Sequence, residues 1–387
     1  MKQIRTKADL AINGATPAFE QPLHVGRPNM GDRAKFLQYA NEIFDRRWFS
    51  NNGPCVKELE KKLSDHLGVK HCIAMCNGTI ALEIAIRALG LKGEVIVPSY
   101  TFIATAHALQ WQEITPVFAD IDPDTHTLDP EAIRQMITPK TTGIIGVHLW
   151  GRPCNVVALQ AVADEYGLQL MFDAAHAFSC SHQGKMIGNF GRCEVFSFHA
   201  TKFFNTFEGG MVATNDDELA KQIRLMQNFG FSGADNVIYP GTNGKMNELS
   251  AGMGLTGLSS LDKFVNQNKK NYQSYQKGVE DIAGLSLIKY DDSEQNNYQY
   301  IVIEVKDEFS ISRDELVDVL QAENVLARKY FWPGCHNMEP YTSLHPHAGL
   351  LLPETEQVAE RVIVMPTGTS VDENDINSIL SVLKVRF

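Results

Sequence analysis

From about residue 72 the chain alternates short apolar runs with stretches of helical spacing. Runs such as Ile144-Ile145-Gly146-Val147 and Leu170-Met171-Phe172 are apolar or small at consecutive positions. A strand that is covered on both faces shows this pattern, because neither face reaches water. The pattern predicts an α/β fold with a mostly parallel sheet between layers of helices. The seven strands that it predicts are Cys72–Met75, Glu94–Val97, Pro116–Ala119, Gly143–His148, Leu168–Asp173, Glu194–Phe198 and Met211–Thr214.

Helices are predicted before the first strand and a smaller unit after the last. Apolar residues recur at helical spacing from Phe36 to Phe44, and a second stripe ends at Gly68. After about residue 255 comes a long polar helical stretch, followed by a unit of mixed character. Its predicted elements are the strand Tyr298–Val305, a helix near Arg313–Glu323, the extended segment Val325–Tyr330 and a terminal helix containing Ile376, Ile379, Leu380 and Leu383.

A chain of 387 residues exceeds the size at which one core keeps growing, which predicts two structural domains. The first thirty residues are rich in proline and glycine and predict an arm laid over a surface, with the surface of a partner subunit as one candidate. We therefore divide the chain into an arm at 1–30, a large domain at 31–255 and a smaller C-terminal α+β domain at 256–387.

Composition narrows the classes of partner. The net charge is −11, with 35 basic against 46 acidic side chains, which argues against a general nucleic-acid or membrane-surface binder. Seven cysteines include no CxxC pair, which favours a reducing compartment over a disulfide framework or a metal site. No apolar run approaches the length of a membrane span, and no signal core follows the basic N-terminus. We expect a cytoplasmic protein without a metal.

Chemically useful residues follow several of the predicted strands. Gly78 and Thr79 come after the first strand and open a helix, where free N–H groups and a hydroxyl suit a phosphate, although in isolation an ordinary helix cap is the favoured explanation. Phe102 follows the second strand, where core packing is the simpler explanation. Because ligands bind beyond the carboxyl ends of parallel strands, we expect these residues to lie at one edge of the sheet.

The fifth and sixth strands are followed by an ionisable carboxylate, a hydroxyl and a lysine amine, which are groups that can take part in catalysis. Asp173 closes an apolar strand, so its carboxylate must be paired, capping or functional. Ser197 ends the sixth strand, and Lys202 follows it on a loop that runs to Glu208-Gly209-Gly210. A lysine amine, an aspartate, an aromatic ring and phosphate donors are the parts that pyridoxal 5′-phosphate (PLP) requires. Each also has an ordinary structural explanation, so the residues alone leave the choice open.

The ordered set of motifs resembles the DegT/DnrJ/StrS family of nucleotide-sugar aminotransferases. This family has the aspartate-aminotransferase-like fold, called PLP fold type I, and the resemblance spans almost the whole chain. The motifs that carry it are Asn77-Gly78-Thr79, Pro98-Ser99-Tyr100-Thr101-Phe102, Asp120-Ile121-Asp122, His148-Leu149-Trp150-Gly151, Asp173-Ala174-Ala175-His176-Ala177, Ser197-Phe198-His199-Ala200-Thr201-Lys202, Glu208-Gly209-Gly210 and Asn243-Gly244-Lys245-Met246.

The resemblance assigns a role to each candidate residue. It implies that Lys202 forms the imine with PLP, that Asp173 pairs with the pyridine nitrogen and that Phe102 stacks on the ring. The phosphate would be bound by Gly78, Thr79 and Ser197. His176 stands near the cofactor hydroxyl, where the family often has glutamine, and Lys245 stands where it usually has arginine. Asn243 matches an asparagine that reaches the phosphate from the neighbouring subunit, which implies a homodimer with shared active sites.

The resemblance also implies the reaction. Glutamate would donate its amino group to the cofactor, and a nucleotide-linked keto-sugar would then receive it. The expected substrate is dTDP-4-keto-6-deoxyglucose, giving a dTDP-4-amino-4,6-dideoxy sugar for O-antigen or a related glycan. Versions with a C3 ketone or a UDP-linked N-acetyl sugar stay open, as does a PLP-binding regulator without turnover. Related dehydratases replace the lysine with histidine, so Lys202 favours transamination.

Overall fold

The computed structural model describes residues 4–387, and the following elements lie within this range. The strands are β1 (Leu23–His24), β2 (His71–Met75), β3 (Glu94–Pro98), β4 (Thr115–Ala119), β5 (Thr141–Val147), β6 (Gln169–Asp173), β7 (Ser181–His182), β8 (Lys185–Met186), β9 (Glu194–Ser197), β10 (Gly210–Thr214), β11 (Leu285–Leu287), β12 (Ile301–Val305), β13 (Val325–Leu326) and β14 (Val362–Met365). The helices are α1 (Arg33–Arg46), α2 (Pro54–Leu67), α3 (Gly78–Ala88), α4 (Ala104–Gln110), α5 (Pro130–Met136), α6 (Val156–Tyr166), α7 (Asp217–Met226), α8 (Glu248–Leu258), α9 (Leu261–Val279), α10 (Arg313–Ala322), α11 (Tyr341–Leu344), α12 (Pro353–Arg361) and α13 (Glu373–Leu383).

The predicted seven-stranded sheet is present in the order β2-β10-β9-β6-β5-β3-β4. Strand β10 runs antiparallel to both of its neighbours, and the other six strands run in one direction. Most residues of these seven strands are buried, as their continuous apolar runs predict. The carboxyl ends of six strands therefore meet at one edge, where β10 begins at Gly210. The predicted α/β architecture is confirmed.

Helices cover both faces of this sheet and bury separate apolar clusters. On one face, α3, α4 and α7 pack against Val95, Val97 and Val212. On the other, α2 and α8 surround Phe196 and Phe198. The two predicted helices before the sheet are therefore α1 and α2, and Pro54 occupies the first turn of α2, where a proline is well tolerated.

A three-stranded antiparallel sheet, β11-β12-β14, organises the C-terminal part. It packs with α9, α10 and α13 around a cluster that includes Tyr275, Ile303 and Ile379. The strand predicted at Tyr298–Val305 begins only at Ile301, and Tyr298 has a positive φ of 48° that extended pairing does not permit. The predicted domain boundary near residue 255 falls inside α8 and stays a prediction.

The N-terminal arm packs on the C-terminal part of its own chain, and its first three residues lie outside the described range. Leu10 and Phe19 are buried in the same cluster as Leu316 and Val325. The buried carboxylate of Glu323 accepts hydrogen bonds from the backbone N–H groups of Ala11 and Ala18, the latter at 2.7 Å. Parallel pairing of β1 with β13 completes the attachment.

The described residues contain no helix with the length and apolarity needed to cross a membrane.

The two parts of the chain are joined by a helix cap. Asp120, which follows β4, is only 7% exposed and accepts hydrogen bonds at the start of α12. The donors are the backbone N–H of Glu354 at 3.0 Å and both the backbone N–H and the hydroxyl of Thr355, at 2.9 and 2.8 Å. A carboxylate at this position satisfies donors that helix geometry leaves unpaired.

We expect Asp120→Ala to destabilise the protein by about 1–2 kcal/mol, since three donors lose their acceptor in a buried setting. Urea unfolding followed by fluorescence measures the change in midpoint. Asp318→Ala, on the exposed side of α10, is the matched control and should leave the midpoint unchanged. Equal midpoints for the two variants would contradict the role of the cap.

Candidate active site

Lys202 lies on a loop whose backbone is fixed at several points. Its N–H donates to the carbonyl oxygen of His199 at 2.9 Å, and the N–H of Thr206 donates to the carbonyl oxygen of Phe198 at the same distance. The next two side chains, Phe203 and Phe204, are buried in the helical layer behind the sheet. The loop therefore holds the lysine at the carboxyl edge of β9.

The Lys202 amine lies in a poorly hydrated setting. Its Nζ donates a hydrogen bond to the Tyr300 hydroxyl at 3.3 Å. Desolvation by the surrounding protein is the largest influence and lowers the pKa of this amine to about 8, while the negative charge of Asp173 opposes the decrease. A substantial fraction of the amine is therefore neutral near physiological pH, which nucleophilic and general-base chemistry require.

Asp173 presents a buried carboxylate at the end of β6. It is 6% exposed and accepts hydrogen bonds from the Thr105 hydroxyl at 2.8 Å and from the Ala175 N–H at 3.0 Å. Burial raises the pKa of this carboxyl above its usual value, while the two donors and the charge of Lys202 act in the opposite direction. Such a carboxylate can hold a protonated ring nitrogen as its counter-ion.

Gly78, Thr79 and Ser197 form a cradle where α3 begins. Asn77 caps the helix by accepting the N–H of Ile80 at 2.8 Å, and the N–H groups of Gly78 and Thr79 have no partner within the helix itself. A Cβ added at Gly78 would lie 3.0 Å from the Cβ of Ser197. Glycine thus allows the helix N-terminus and the serine hydroxyl to approach closely, and together they suit a phosphate.

His176 lies within a wall of aromatic rings. Its Nδ1 accepts the backbone N–H of Trp150 at 3.3 Å, and its ring centroid lies 4.5 Å from that of Tyr300 and 6.0 Å from that of Phe331. Burial and, to a smaller extent, the charge of Lys202 lower the pKa of His176 well below its usual value. The imidazole is therefore neutral, and it can take part in hydrogen bonding without adding charge.

Phe102 and Asn243 stand apart from this group. Phe102 is 58% exposed and touches Phe331 at a centroid distance of 6.4 Å, so its ring face is accessible beside the site. Asn243 is exposed, and its backbone pairs with that of Asn228. Among the described residues no hydrogen bond or ring contact joins Asn243 to Lys202.

Several residues of the site are not predicted by any local sequence pattern. Thr105 lies in the helix that follows Phe102, and its hydrogen bond to Asp173 depends on β3 and β6 lying on either side of β5. Tyr300 comes from the C-terminal part and reaches Lys202 only through the packing of both parts. Trp150 belongs to a quoted motif, but its stacking on Phe331, at 5.4 Å and 12° between planes, depends on tertiary structure.

The donor set fits a phosphorylated aromatic aldehyde with a protonatable ring nitrogen. The amine of Lys202, the carboxylate of Asp173 and the cradle at Gly78 supply the three kinds of contact that such a molecule needs. Together with a mostly parallel sheet and a smaller C-terminal sheet, these contacts fit the class of PLP-dependent enzymes.

The family model of the DegT/DnrJ/EryC1/StrS aminotransferase family matches residues 31–384, and the chain belongs to this family. It is 37% identical over 365 residues to a dTDP-4-amino-4,6-dideoxy-D-glucose transaminase of Shigella dysenteriae, with 94% of this chain and 99% of the relative covered. A transaminase of the same name from Escherichia coli is 35% identical, with 94% and 98% covered.

A solved structure supports the same family assignment. The crystal structure of DesI in the presence of its TDP-sugar product superposes with a TM-score of 0.93 at 47% sequence identity, covering 97% of this chain and 95% of DesI. The resemblance, the fold and the enzyme class predicted from the sequence are thereby confirmed. The protein is a sugar aminotransferase.

We expect the Lys202 amine of the cofactor-free protein to titrate near pH 8, protonated below this pH and neutral above it. Asp173→Asn removes the charge that holds the pKa up, so the midpoint should move to lower pH. The rate of Lys202 carbamoylation by cyanate, quantified by peptide mass spectrometry across pH, measures this midpoint. Exposed Lys221 in the same digest serves as the reference. An upward shift in the variant would contradict the electrostatic coupling.

Proposed function

We propose that this protein uses PLP to transfer an amino group from glutamate to C4 of dTDP-4-keto-6-deoxyglucose, giving a dTDP-4-amino-4,6-dideoxy sugar. The observation that carries the proposal is the desolvated Lys202 amine beside the Asp173 carboxylate, in a chain that aligns over 94% of its length with two transaminases named for this product. The similarity to DesI, whose crystal structure was determined in the presence of its TDP-sugar product, supports the same nucleotide.

The proposed site uses the residues that the sequence singled out. Lys202 would hold the cofactor covalently between turnovers, and Asp173 would keep a proton on the ring nitrogen. Bound PLP supplies an electron-accepting ring, which weakens the bond between Cα of the amino donor and its proton. Phe102 would cover one face of the ring, and His176 would lie near its hydroxyl. Gly78, Thr79 and Ser197 would bind the phosphate.

Lys202 would also move the proton that transamination requires. With an amino donor bound, the Lys202 amine would accept the proton from the donor's Cα and would later return it, acting as the general base and then as the general acid. The lowered pKa suits this role, because an amine with a pKa of about 8 can both accept and return a proton at small cost in free energy. Tyr300, hydrogen-bonded to Nζ, would keep the amine oriented.

The most direct test presents the PLP-loaded protein and glutamate with dTDP- and UDP-linked 4-keto and 3-keto sugars. We expect amination of dTDP-4-keto-6-deoxyglucose at C4, located by NMR, and an amine rather than a deoxygenated sugar as the product. Lys202→Ala should lose the imine absorbance and turnover while keeping the circular dichroism of the folded protein. If the PLP-loaded protein aminates none of the dTDP sugars, the proposed substrate is wrong.

A homodimer with shared sites accounts for the exposed apolar residues near Asn243. The hairpin that joins Asn228 to Asn243 exposes Phe229, Phe231 and Val237, each by more than a third. Exposed apolar side chains on one projecting hairpin are typical of an interface. We therefore propose that Asn243 reaches the phosphate of a second copy, as the family resemblance implies, in a cytoplasmic enzyme that supplies a surface glycan.

Mixing Lys202→Ala and Asn243→Ala subunits tests the shared site. Each variant alone should lose most activity, whereas random reassociation creates mixed dimers in which one of the two sites carries neither substitution. We expect recovery of about a quarter of wild-type activity at equal amounts of the two subunits, since half of the dimers are mixed. Mixing Lys202→Ala with itself is the control. No recovery would mean that Asn243 and Lys202 act in the same subunit.

A further inference from the structure

Three side chains form a hydrogen-bonded network that ends at the aromatic wall of the active site. The indole N–H of Trp150 donates to Nδ1 of His126 at 3.2 Å, and Nε2 of His126 lies 3.1 Å from a carboxylate oxygen of Glu304. Glu304 belongs to β12, whereas His126 follows β4 and Trp150 follows β5. We call these three residues the Glu304 network. It joins the C-terminal part of the protein to the edge of the large sheet.

The hydrogen bonds of the Glu304 network select one tautomer of His126. An indole nitrogen can only donate, so Nδ1 of His126 must act as the acceptor. The proton of the imidazole then lies on Nε2, which donates it to the Glu304 carboxylate. The second oxygen of that carboxylate accepts the Ser286 hydroxyl at 3.1 Å. Glu304 and Trp150 together therefore fix both the orientation and the tautomer of the ring between them.

Two members of the network have left-handed backbone conformations. The φ angles of His126 and Trp150 are 60° and 62°. Histidine adopts this region more often than most residues do, but for a side chain as bulky as tryptophan it is an outlier. Such conformations persist where the surrounding contacts hold them, and they are concentrated at functional sites. The Tyr290 hydroxyl adds one such contact by donating to the carbonyl oxygen of Trp150 at 3.0 Å.

Trp150 contacts two residues of the candidate site. Its backbone N–H donates to Nδ1 of His176, which leaves the proton of that neutral ring on Nε2. Its indole lies 5.9 Å from the His176 ring and 5.3 Å from the Tyr300 ring, measured between centroids. Tyr300 in turn accepts the hydrogen bond from Nζ of Lys202. A change in the orientation of the indole would therefore disturb both the imidazole and the phenol beside the lysine.

The network runs from partial solvent exposure at Glu304 to complete burial at Trp150. The side chain of Glu304 is 25% exposed, that of His126 is fully buried, and Trp150 is also fully buried. Glu304 lines an open cavity of about 450 Å³. Water can therefore enter the space that a smaller residue at 304 would leave. Glu304 is thus the position at which the network can be broken with the least damage to the core.

We propose that Glu304 and His126 are positioning residues of this aminotransferase, which hold the Trp150 indole so that His176 and Tyr300 are correctly placed beside the cofactor and Lys202. This inference rests on the proposed function, because that function places His176 near the cofactor hydroxyl. Neither Glu304 nor His126 touches the reacting atoms. A network with a merely structural role would contribute only to folding stability, whereas a positioning network also governs cofactor binding and turnover.

The first test observes the indole N–H of Trp150 in the cofactor-free protein. With four tryptophans labelled with ¹⁵N, the resonance of Trp150 is the one that disappears in Trp150→Phe. His126→Leu removes its acceptor and should move the proton resonance upfield, and Glu304→Ala should cause a smaller shift in the same direction. His126→Asn and Glu304→Gln each keep an acceptor and should stay near the wild-type position. The resonance of exposed Trp111 is the internal reference.

The second test measures PLP affinity by titration and the glutamate half-reaction by cofactor absorbance. Glu304→Ala and His126→Leu should each weaken PLP binding about tenfold and slow the half-reaction about tenfold at similar KM for glutamate. Glu304→Gln and His126→Asn should stay within about threefold of wild type, because they keep the hydrogen-bond acceptors. The matched controls are Glu308→Ala and His347→Leu, at exposed positions outside the network, which should behave as the wild type.

Urea unfolding separates positioning from stability. If Glu304→Ala and His126→Leu lower the unfolding midpoint but bind PLP and react with glutamate as the controls do, the network is merely structural and the proposal is wrong. If His126→Leu does not fold, the comparison of Glu304→Ala with Glu304→Gln decides the question. Neither test uses a sugar. Network-dependent PLP binding in a protein that aminates no dTDP sugar would support this inference and overturn the proposed substrate.

Discussion

The active site depends on keeping an amine and a carboxylate together at a poorly hydrated edge of the sheet. Burial disfavours the charged form of both Lys202 and Asp173, and each charge favours the other. The two groups differ in the hydrogen bonds that their charged forms make. Asp173 accepts two donors that stabilise its anion, whereas Lys202 has one contact to a neutral hydroxyl. The two donors and the Lys202 charge thus counteract the burial that raises the pKa of Asp173, whereas burial lowers the pKa of the Lys202 amine to about 8.

The aromatic wall explains why the site needs both parts of the chain. His176 and Trp150 follow strands of the large sheet, whereas Tyr300 and Phe331 come from the C-terminal part. Each of these four rings has its centroid 4.5 to 5.4 Å from that of the nearest other ring in the group. This packing excludes water from the lysine and also carries the wall onward to Tyr330. Desolvation of the amine is a consequence of one set of contacts, to which both parts of the chain contribute.

The sequence predicted the sheet and the placement of Lys202, Asp173 and Gly78 because these depend on local patterns. Consecutive apolar residues identify buried strands, and the strands' common direction brings their ends together. Thr105 and Tyr300 were missed because each meets its partner only through tertiary packing, across 68 and 98 residues of sequence. Strand β12 is shorter than the predicted strand Tyr298–Val305, because the backbone of Tyr298 leaves the extended conformation. The role of Asn243 stays a prediction because one chain presents only half of the expected interface.

The attachment of the arm has a consequence for how the protein is synthesised. Ala11 emerges early from the ribosome, yet the carboxylate that its backbone N–H binds lies 312 residues later. The apolar side chains of the arm, including Leu10 and Phe19, therefore remain without their native partners during most of translation. Contacts of such long sequence separation form slowly. The large sheet can assemble first, and the C-terminal core closes only when the last part of the chain has met the first.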